Sequence, residues 1–148
     1  MGCALSHRRV LETLETSSLI LEDDIGVSVG FQREFMIPPE ADAIYLGVSN
    51  HGYVRGYTQV GLKGVVIASQ YNEQYKRVFN MCSTHAILYL SERYIEAAHK
   101  KIEECLFSGL AFDLGLASIH KDYTILTPND PFFYQREQEE FTNFSLQV

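Results

Sequence analysis

Apolar positions along this chain fall into two patterns, one with helical spacing and one without any alternation. Ala4, Leu5, Leu11 and Leu14 recur at helical spacing and predict a helix from the first residues to about residue 16, with one buried side. After Ser17 and Ser18 comes Leu19-Ile20-Leu21, an apolar run that stops in Glu22-Asp23-Asp24. An unalternated run suits a strand covered on both faces, as in parallel sheets, so it is expected in the interior of a mostly parallel sheet. Ile25, Val27 and Val29 then alternate with small residues. Further strands are predicted over residues 43–48, 65–68 and 123–126. Ser91 is the expected N-cap of a second helix to about Cys105, with Ile95, Ala98, Ile102 and Cys105 on one side and Glu, Lys and His on the other. Asp113 is expected to cap a shorter helix ending near His120.

Strands and helices in this order predict one three-layer α/β domain over residues 1–128, with helices beginning near Cys3 and Ser91 flanking a central sheet. Residues 129–148 follow as a segment in which Phe132, Phe133, Tyr134, Phe141 and Phe144 stand among Glu137, Glu139 and Glu140. Such a segment packs either on the domain or on another chain. With 148 residues, 46% of them apolar, the chain can bury one core of its own. It has no apolar stretch of membrane-spanning length and no secretory leader pattern, which predicts a cytoplasmic protein. A net charge of -7 argues against a phosphate-backbone footprint, and so against nucleic acid as a partner. Cys3, Cys82 and Cys105 are odd in number and form no CxxC pair, so they read as reduced thiols, mostly buried.

The first residues carry a second pattern. Gly2 and Ser6 fit N-myristoylation, Cys3 is available for palmitate, and Arg8 and Arg9 add positive charge, which keeps membrane-peripheral attachment open. The helix predicted over the same residues is the favoured reading.

Glu22-Asp23-Asp24 is the strongest candidate for chemistry. In open α/β sheets ligands bind beyond the carboxyl ends of strands. An extended backbone turns Glu22 and Asp24 to one side and Asp23 to the other. Two carboxylates on one side suit a hard cation, Mg²⁺ or Mn²⁺, held against a diphosphate, although an isolated acidic triplet also describes a solvated turn. The glycines at 52, 56, 61 and 64 predict turns or a hairpin and lack the ending of a Walker motif. Arg55 and Lys63 in that stretch are either diphosphate contacts or, more simply, solvated turn charges. Of the histidines, His99 belongs to the polar side of a helix, and His51 and His120 stand at loop or helix-end positions where either role is open.

Gly2-Cys3-Ala4-Leu5-Ser6-His7 followed by Leu19-Ile20-Leu21-Glu22-Asp23-Asp24 resembles the paired signature of glycosyltransferase family twenty-five, the lipooligosaccharide and procollagen galactosyltransferases. The resemblance continues through Asp42-Ala43-Ile44-Tyr45-Leu46-Gly47, then Ser83-Thr84-His85-Ala86-Ile87-Leu88-Tyr89-Leu90-Ser91, and then Asp113, Pro131 and Gln135. It covers most of the chain, in patches. Two departures stand out: the spacing between the leading motifs is a few residues short, and the chain begins at the Gly-Cys motif, where the family has a preceding strand and helix.

The resemblance implies a truncated GT-A (nucleotide-diphospho-sugar transferase) fold and transfer of galactose or a similar sugar from a UDP-sugar donor to a glycan acceptor. It implies a metal at Glu22 and Asp24, and donor contacts from Asp23, His7, Thr84 and His85. It also implies Asp113 as the base that takes the acceptor proton in an inverting transfer. Taken by themselves, His7 and His85 read as histidines hydrogen-bonded within the fold. A domain short of a covering segment is expected to be completed by a second copy or a partner chain. The competing reading is a catalytically silent glycosyltransferase-like binding or structural subunit of a larger assembly.

Overall fold

Residues 41–49 are buried without a break, and the rest of the molecule is arranged around them. The computed structural model describes residues 2–14, 17–54 and 64–136. Along these residues run α1 (Gly2–Leu11), β1 (Ser18–Leu21), β2 (Ile25–Val27), β3 (Ala43–Tyr45), β4 (Ala68–Gln70), β5 (Tyr75–Val78), β6 (Ala86–Tyr89), α2 (Glu92–Ser108), α3 (Phe112–Ile119), β7 (Ile125–Pro128) and β8 (Phe133–Gln135), with a 3-10 turn over His120–Asp122.

Six strands form one sheet in the order β1-β6-β3-β7-β5-β4, and β2 and β8 form a separate two-stranded ribbon. The α/β class expected from the sequence is present. The mostly parallel sheet is not: among the described residues four of the sheet's five ladders are antiparallel, and only β3 with β7 is parallel. β1 is likewise an edge strand paired to β6, not an interior one, and Leu19 and Leu21 remain exposed. The reason is physical. An unalternated apolar run reports burial on both faces, and burial does not depend on the direction of the neighbouring strand.

Both faces of the central strands are covered by different partners. Ala43, Tyr45, Ile87, Tyr89 and Ile125 face a core shared with Ala4 and Leu11 of α1, Tyr94, Ala98 and Ile102 of α2, and Leu116 of α3. Ile44, Leu46, Ala86 and Leu126 face the other way, onto Ala41, Phe132 and Phe133. The helices therefore lie on one face, and the ribbon with its flanking loops closes the other. The described part of the C-terminal segment, residues 129–136, is packed on the domain through Phe132 and Phe133, whose N–H groups both donate to the Leu46 carbonyl (2.8 and 3.2 Å). Glu137, Glu139, Glu140, Phe141 and Phe144 lie outside the described residues.

Helix boundaries follow local chemistry. Ser91 is the N-cap of α2 and accepts from the Tyr94 N–H, while Gly109 ends the helix at φ 75° and donates to the Cys105 carbonyl. That left-handed conformation is why a glycine stands there. α1 buries Ala4, His7 and Leu11 but leaves Leu5 exposed, and the predicted last turn at 15–16 lies outside the described residues. In α3 the N-cap is Ala111, so Asp113 falls inside the first turn and is not the cap; an anionic side chain is favourable there too. Among the described residues, no helix is long and apolar enough to cross a membrane.

Asp42 ties three elements together. Its carboxylate accepts from Ser91 Oγ (2.6 Å), Arg93 Nε (2.7 Å), Arg93 Nη2 and the Thr124 N–H (2.8 Å). Its carbonyl accepts from the N–H groups of Leu90 and Ser91. Burial alone raises the Asp42 carboxyl, but the bonds from Arg93, Ser91 and Thr124 outweigh it and hold it below its ordinary 3.8.

A carboxyl depressed in the folded state contributes stability above its unfolded pKa and loses it as pH falls through the folded value. Stability is therefore expected to drop below about pH 4 through Asp42. A second loss begins at higher pH, because burial takes neutral His120 from 6.5 down to about 3 and the unfolded chain binds that proton first. Asp42→Asn is expected to cost about 2–3 kcal/mol at neutral pH and to flatten only the lower window. Urea denaturation across pH 3 to 7 checks this, and an unchanged acid limb in the variant contradicts the assignment.

Candidate functional site

The β1–β6 ladder continues one residue past Leu21, because the Glu22 N–H donates to the His85 carbonyl at 2.9 Å. That bond sets Glu22 beside Thr84, which leads into β6. From the helical layer, α1 brings Cys3 and His7, four residues apart and therefore on one side of the helix. All three side chains meet a single oxygen. Thr84 Oγ1 donates to Glu22 Oε1 at 2.8 Å, His7 Nε2 lies 3.2 Å from it, and Cys3 Sγ donates to it at 3.5 Å.

The cluster is largely shielded, with side-chain exposures of 4% for His7 and 14% for Glu22. Burial raises the Glu22 carboxyl, but the hydrogen bonds from His7 and Thr84 more than offset it and leave it below its ordinary value. Burial and the adjacent Glu22 charge push the Cys3 thiol up to about 11, so Cys3 is protonated at neutral pH although its residue as a whole is exposed. Phe112, at the start of α3, covers His7 with ring centroids 5.0 Å apart.

Beyond Glu22 the chain turns at Asp23 and Asp24 and enters β2. Asp23 is exposed, and Glu22 and Asp24 are half-buried; because residues 23 and 24 form a turn, the extended backbone on which the expected sidedness rested is absent here. Asp24 is tied to β8 on its far side. Its carbonyl accepts from the Arg136 N–H at 2.9 Å, and Oδ2 accepts a long bond of 3.4 Å from Gln135 Nε2. Oδ1 is buried and has no hydrogen-bond partner.

His85, whose carbonyl takes the Glu22 N–H, is 2% exposed. Ser83 Oγ donates to the Gly47 carbonyl (3.0 Å), so His85 Nδ1, 3.2 Å from the same oxygen, is the donor of that pair. Burial lowers the imidazole pKa, and the Glu22 charge, the Phe133 carbonyl and Asp24 offset part of the shift. Gly47 lies flat on the ring, where a Cβ would overlap Nε2.

Asp113 is half-buried in the first turn of α3, with Oδ1 accepting from the Leu114 N–H at 2.8 Å. Its neighbour Phe112 touches His7, so α3 starts beside the cluster. Burial, together with the Asp113 charge, pushes the Cys82 thiol up to about 12. Other histidines are elsewhere: His51 Nδ1 is 3.3 Å from Ser49 Oγ, His99 lies against Glu12, and His120 is buried with Nε2 3.0 Å from Tyr45 Oη. Arg55 and Lys63 lie outside the described residues.

Strand directions put the carboxyl ends of β1, β3 and β7 along one edge of the sheet. Also at that edge, past the end of β7, is a concavity lined by Gln32, Phe35, Glu73, Tyr75, Asn129 and Phe132. Sequence reasoning missed Cys3 as a member of the cluster, although its four-residue spacing from His7 was the available signal. It also missed Phe112, for which the sequence offers no comparable sign.

No protein-family model, no curated protein and no solved structure matches this chain.

Gly47→Ala is expected to cost about 1–3 kcal/mol, because the added methyl meets a buried ring that Ser83 holds in place. Combining it with His85→Ala removes the obstacle, so the two costs should fall short of adding by about 1 kcal/mol or more. Urea denaturation of the single and double variants measures the coupling; strictly additive costs would show that the two residues do not oppose each other.

Proposed function

We propose that the chain is a metal-assisted nucleotide-sugar glycosyltransferase. It transfers galactose or a similar sugar from a UDP-sugar to a hydroxyl of a saccharide acceptor, as the resemblance to glycosyltransferase family twenty-five implies. One observation carries this reading: segments 2–7, 19–24 and 83–91, which supply the resemblance, converge on Glu22 Oε1 through Cys3, His7 and Thr84. Motifs far apart in sequence that meet at one carboxylate behave as parts of one site.

The donor set fits a hard cation. Carboxylate oxygens are the ligands that Mn²⁺ and Mg²⁺ prefer, and a buried acceptor such as Asp24 Oδ1, with no partner, is a group that a cation satisfies. Glu22 and Asp24 would hold the ion, which supplies neutralisation of charge on the departing diphosphate. Thr84 and His7 orient Glu22. Asp23, exposed at the turn, contacts the ribose or sugar of the donor, and the His85 carbonyl anchors the Glu22 backbone. Asp113 takes the proton from the acceptor hydroxyl as that oxygen bonds to the anomeric carbon and the bond to the diphosphate breaks, with inversion. The concavity near Phe35, Glu73, Asn129 and Phe132 offers the aromatic, amide and carboxylate lining that a saccharide uses.

A second reading, a catalytically silent subunit of the same shape, draws on a specific observation as well. Glu22 Oε1 already receives three protein donors, as a purely structural carboxylate does.

Mn²⁺ and uridine diphosphate are expected to tighten each other's binding about 5- to 150-fold, reciprocally. Asp24→Asn should abolish that coupling without unfolding the chain. Asp113→Asn should keep donor binding and lower transfer about 10²- to 10⁴-fold. Calorimetry on the wild type and both variants, with a transfer assay, checks all three; no nucleotide binding in the presence of Mn²⁺ replaces the enzyme with the silent subunit.

A further inference from the structure

We propose that Cys3, His7 and Glu22 form a second metal site, for a borderline divalent ion of which Zn²⁺ is the best match, with one coordination position open. It goes beyond the transferase reading and shares with it Glu22 as a ligand and His7 and Thr84, which there orient that carboxylate.

The geometry is that of a metal site occupied by protons. Tetrahedral zinc with bonds of about 2.0–2.3 Å has ligand-to-ligand edges of about 3.3–3.7 Å. The observed edges from Glu22 Oε1 are 3.2 Å to His7 Nε2 and 3.5 Å to Cys3 Sγ, and all three donor atoms lie within 4.8 Å of one another. Two of the three edges thus match, and the Cys3–His7 edge, within 4.8 Å, closes by side-chain rotation on α1. Cys3 and His7 are fixed by one helix, and the 2.8 Å bond from Thr84 Oγ1 holds the carboxylate as an outer-shell partner does.

Donor chemistry selects the ion. A thiolate and an imidazole beside one carboxylate favour zinc over Mg²⁺ or Mn²⁺, which take all-oxygen sets. Binding replaces the Cys3 thiol proton, which leaves to solvent. The proton that His7 Nε2 offers to Glu22 moves to Nδ1, freeing Nε2 as a ligand. One thiolate and one carboxylate then balance the dication.

Affinity has a built-in limit. His7 Nδ1 is buried with no hydrogen-bond partner, so the relocated N–H has no acceptor and weakens binding about tenfold to hundredfold relative to a fully supported histidine. The site is consequently exchangeable. By engaging Glu22, zinc competes with the hard cation at the acidic turn.

Calorimetric titration of the reduced, full-length chain with ZnCl₂ tests the proposal, with Co²⁺ as the spectroscopic probe. The expected result is one ion per chain, tetrahedral visible bands with Co²⁺, and a near-ultraviolet thiolate-to-cobalt band. Cys3 is exposed, so Cys3→Ser should fold normally, lose the thiolate band and bind zinc at least about 100-fold more weakly. His7→Gln, checked for folding by circular dichroism, should weaken it similarly. Asp24→Asn should leave the zinc titration unchanged while removing the manganese and uridine diphosphate coupling, so the two readings fail separately. No one-to-one binding, a cobalt spectrum without thiolate character, or zinc affinity that follows Asp24 instead of Cys3 would overturn it.

Discussion

The carboxylate of Asp42 stands where β3, α2 and β7 begin, and the one parallel pairing of the sheet is fixed there. A buried carboxylate without partners costs several kcal/mol, so it persists only where donors surround it. Asp42 receives bonds from Ser91, Arg93 and the Thr124 backbone, while its own carbonyl takes the N–H groups of Leu90 and Ser91. Moving any one of these segments breaks bonds to the others. Arg93 is 64% exposed, so its charge is partly screened and its contribution is mainly geometric. With this junction set, β3 takes its place between β6 and β7, and the two faces of the sheet receive their separate cores.

Asp24 makes an instructive contrast with Asp42. Both are carboxylates just ahead of strands, Asp42 buried and Asp24 half-buried, yet one is saturated with donors and the other keeps a buried oxygen with none. Saturation marks a residue that organises the scaffold, whereas a shielded acceptor without a donor marks a place where something else can bind. Glu22 lies between these extremes. Its Oε1 is held by three side chains from two different layers, which makes it at once a structural junction and the centre of the candidate chemistry.

Sequence revealed elements more readily than their arrangement. Ser91 and the spacing of Ala98, Ile102 and Cys105 were enough to define α2, because capping and helical periodicity are local properties. The direction of β1 was not legible, since Leu19-Ile20-Leu21 looks the same beside a parallel or an antiparallel neighbour. β8 was missed for a related reason: Phe133 is buried and pairs across the ribbon with Val27, over a hundred residues earlier, so nothing local announces it. At the site, the acidic turn was conspicuous, but the chain bends at residues 23 and 24, so alternation along an extended strand does not describe it. The importance of Cys3 was not, because a cysteine near the start of a chain suits a lipid, a core or a ligand equally until Glu22 is placed beside it.

The parallel pairing of Ala43 with Ile125 has a consequence for how the chain comes into being. Synthesis proceeds from the N-terminus, so the apolar stretch at 41–49 emerges long before β6 and β7, the strands that flank it. Closing so large a loop carries an entropic cost that is recovered only when the last strands arrive. Nascent chains of intermediate length thus display an uncovered, sheet-forming segment, which chaperones bind and like segments pair with. The centre of the folded molecule is, on the ribosome, its most vulnerable part.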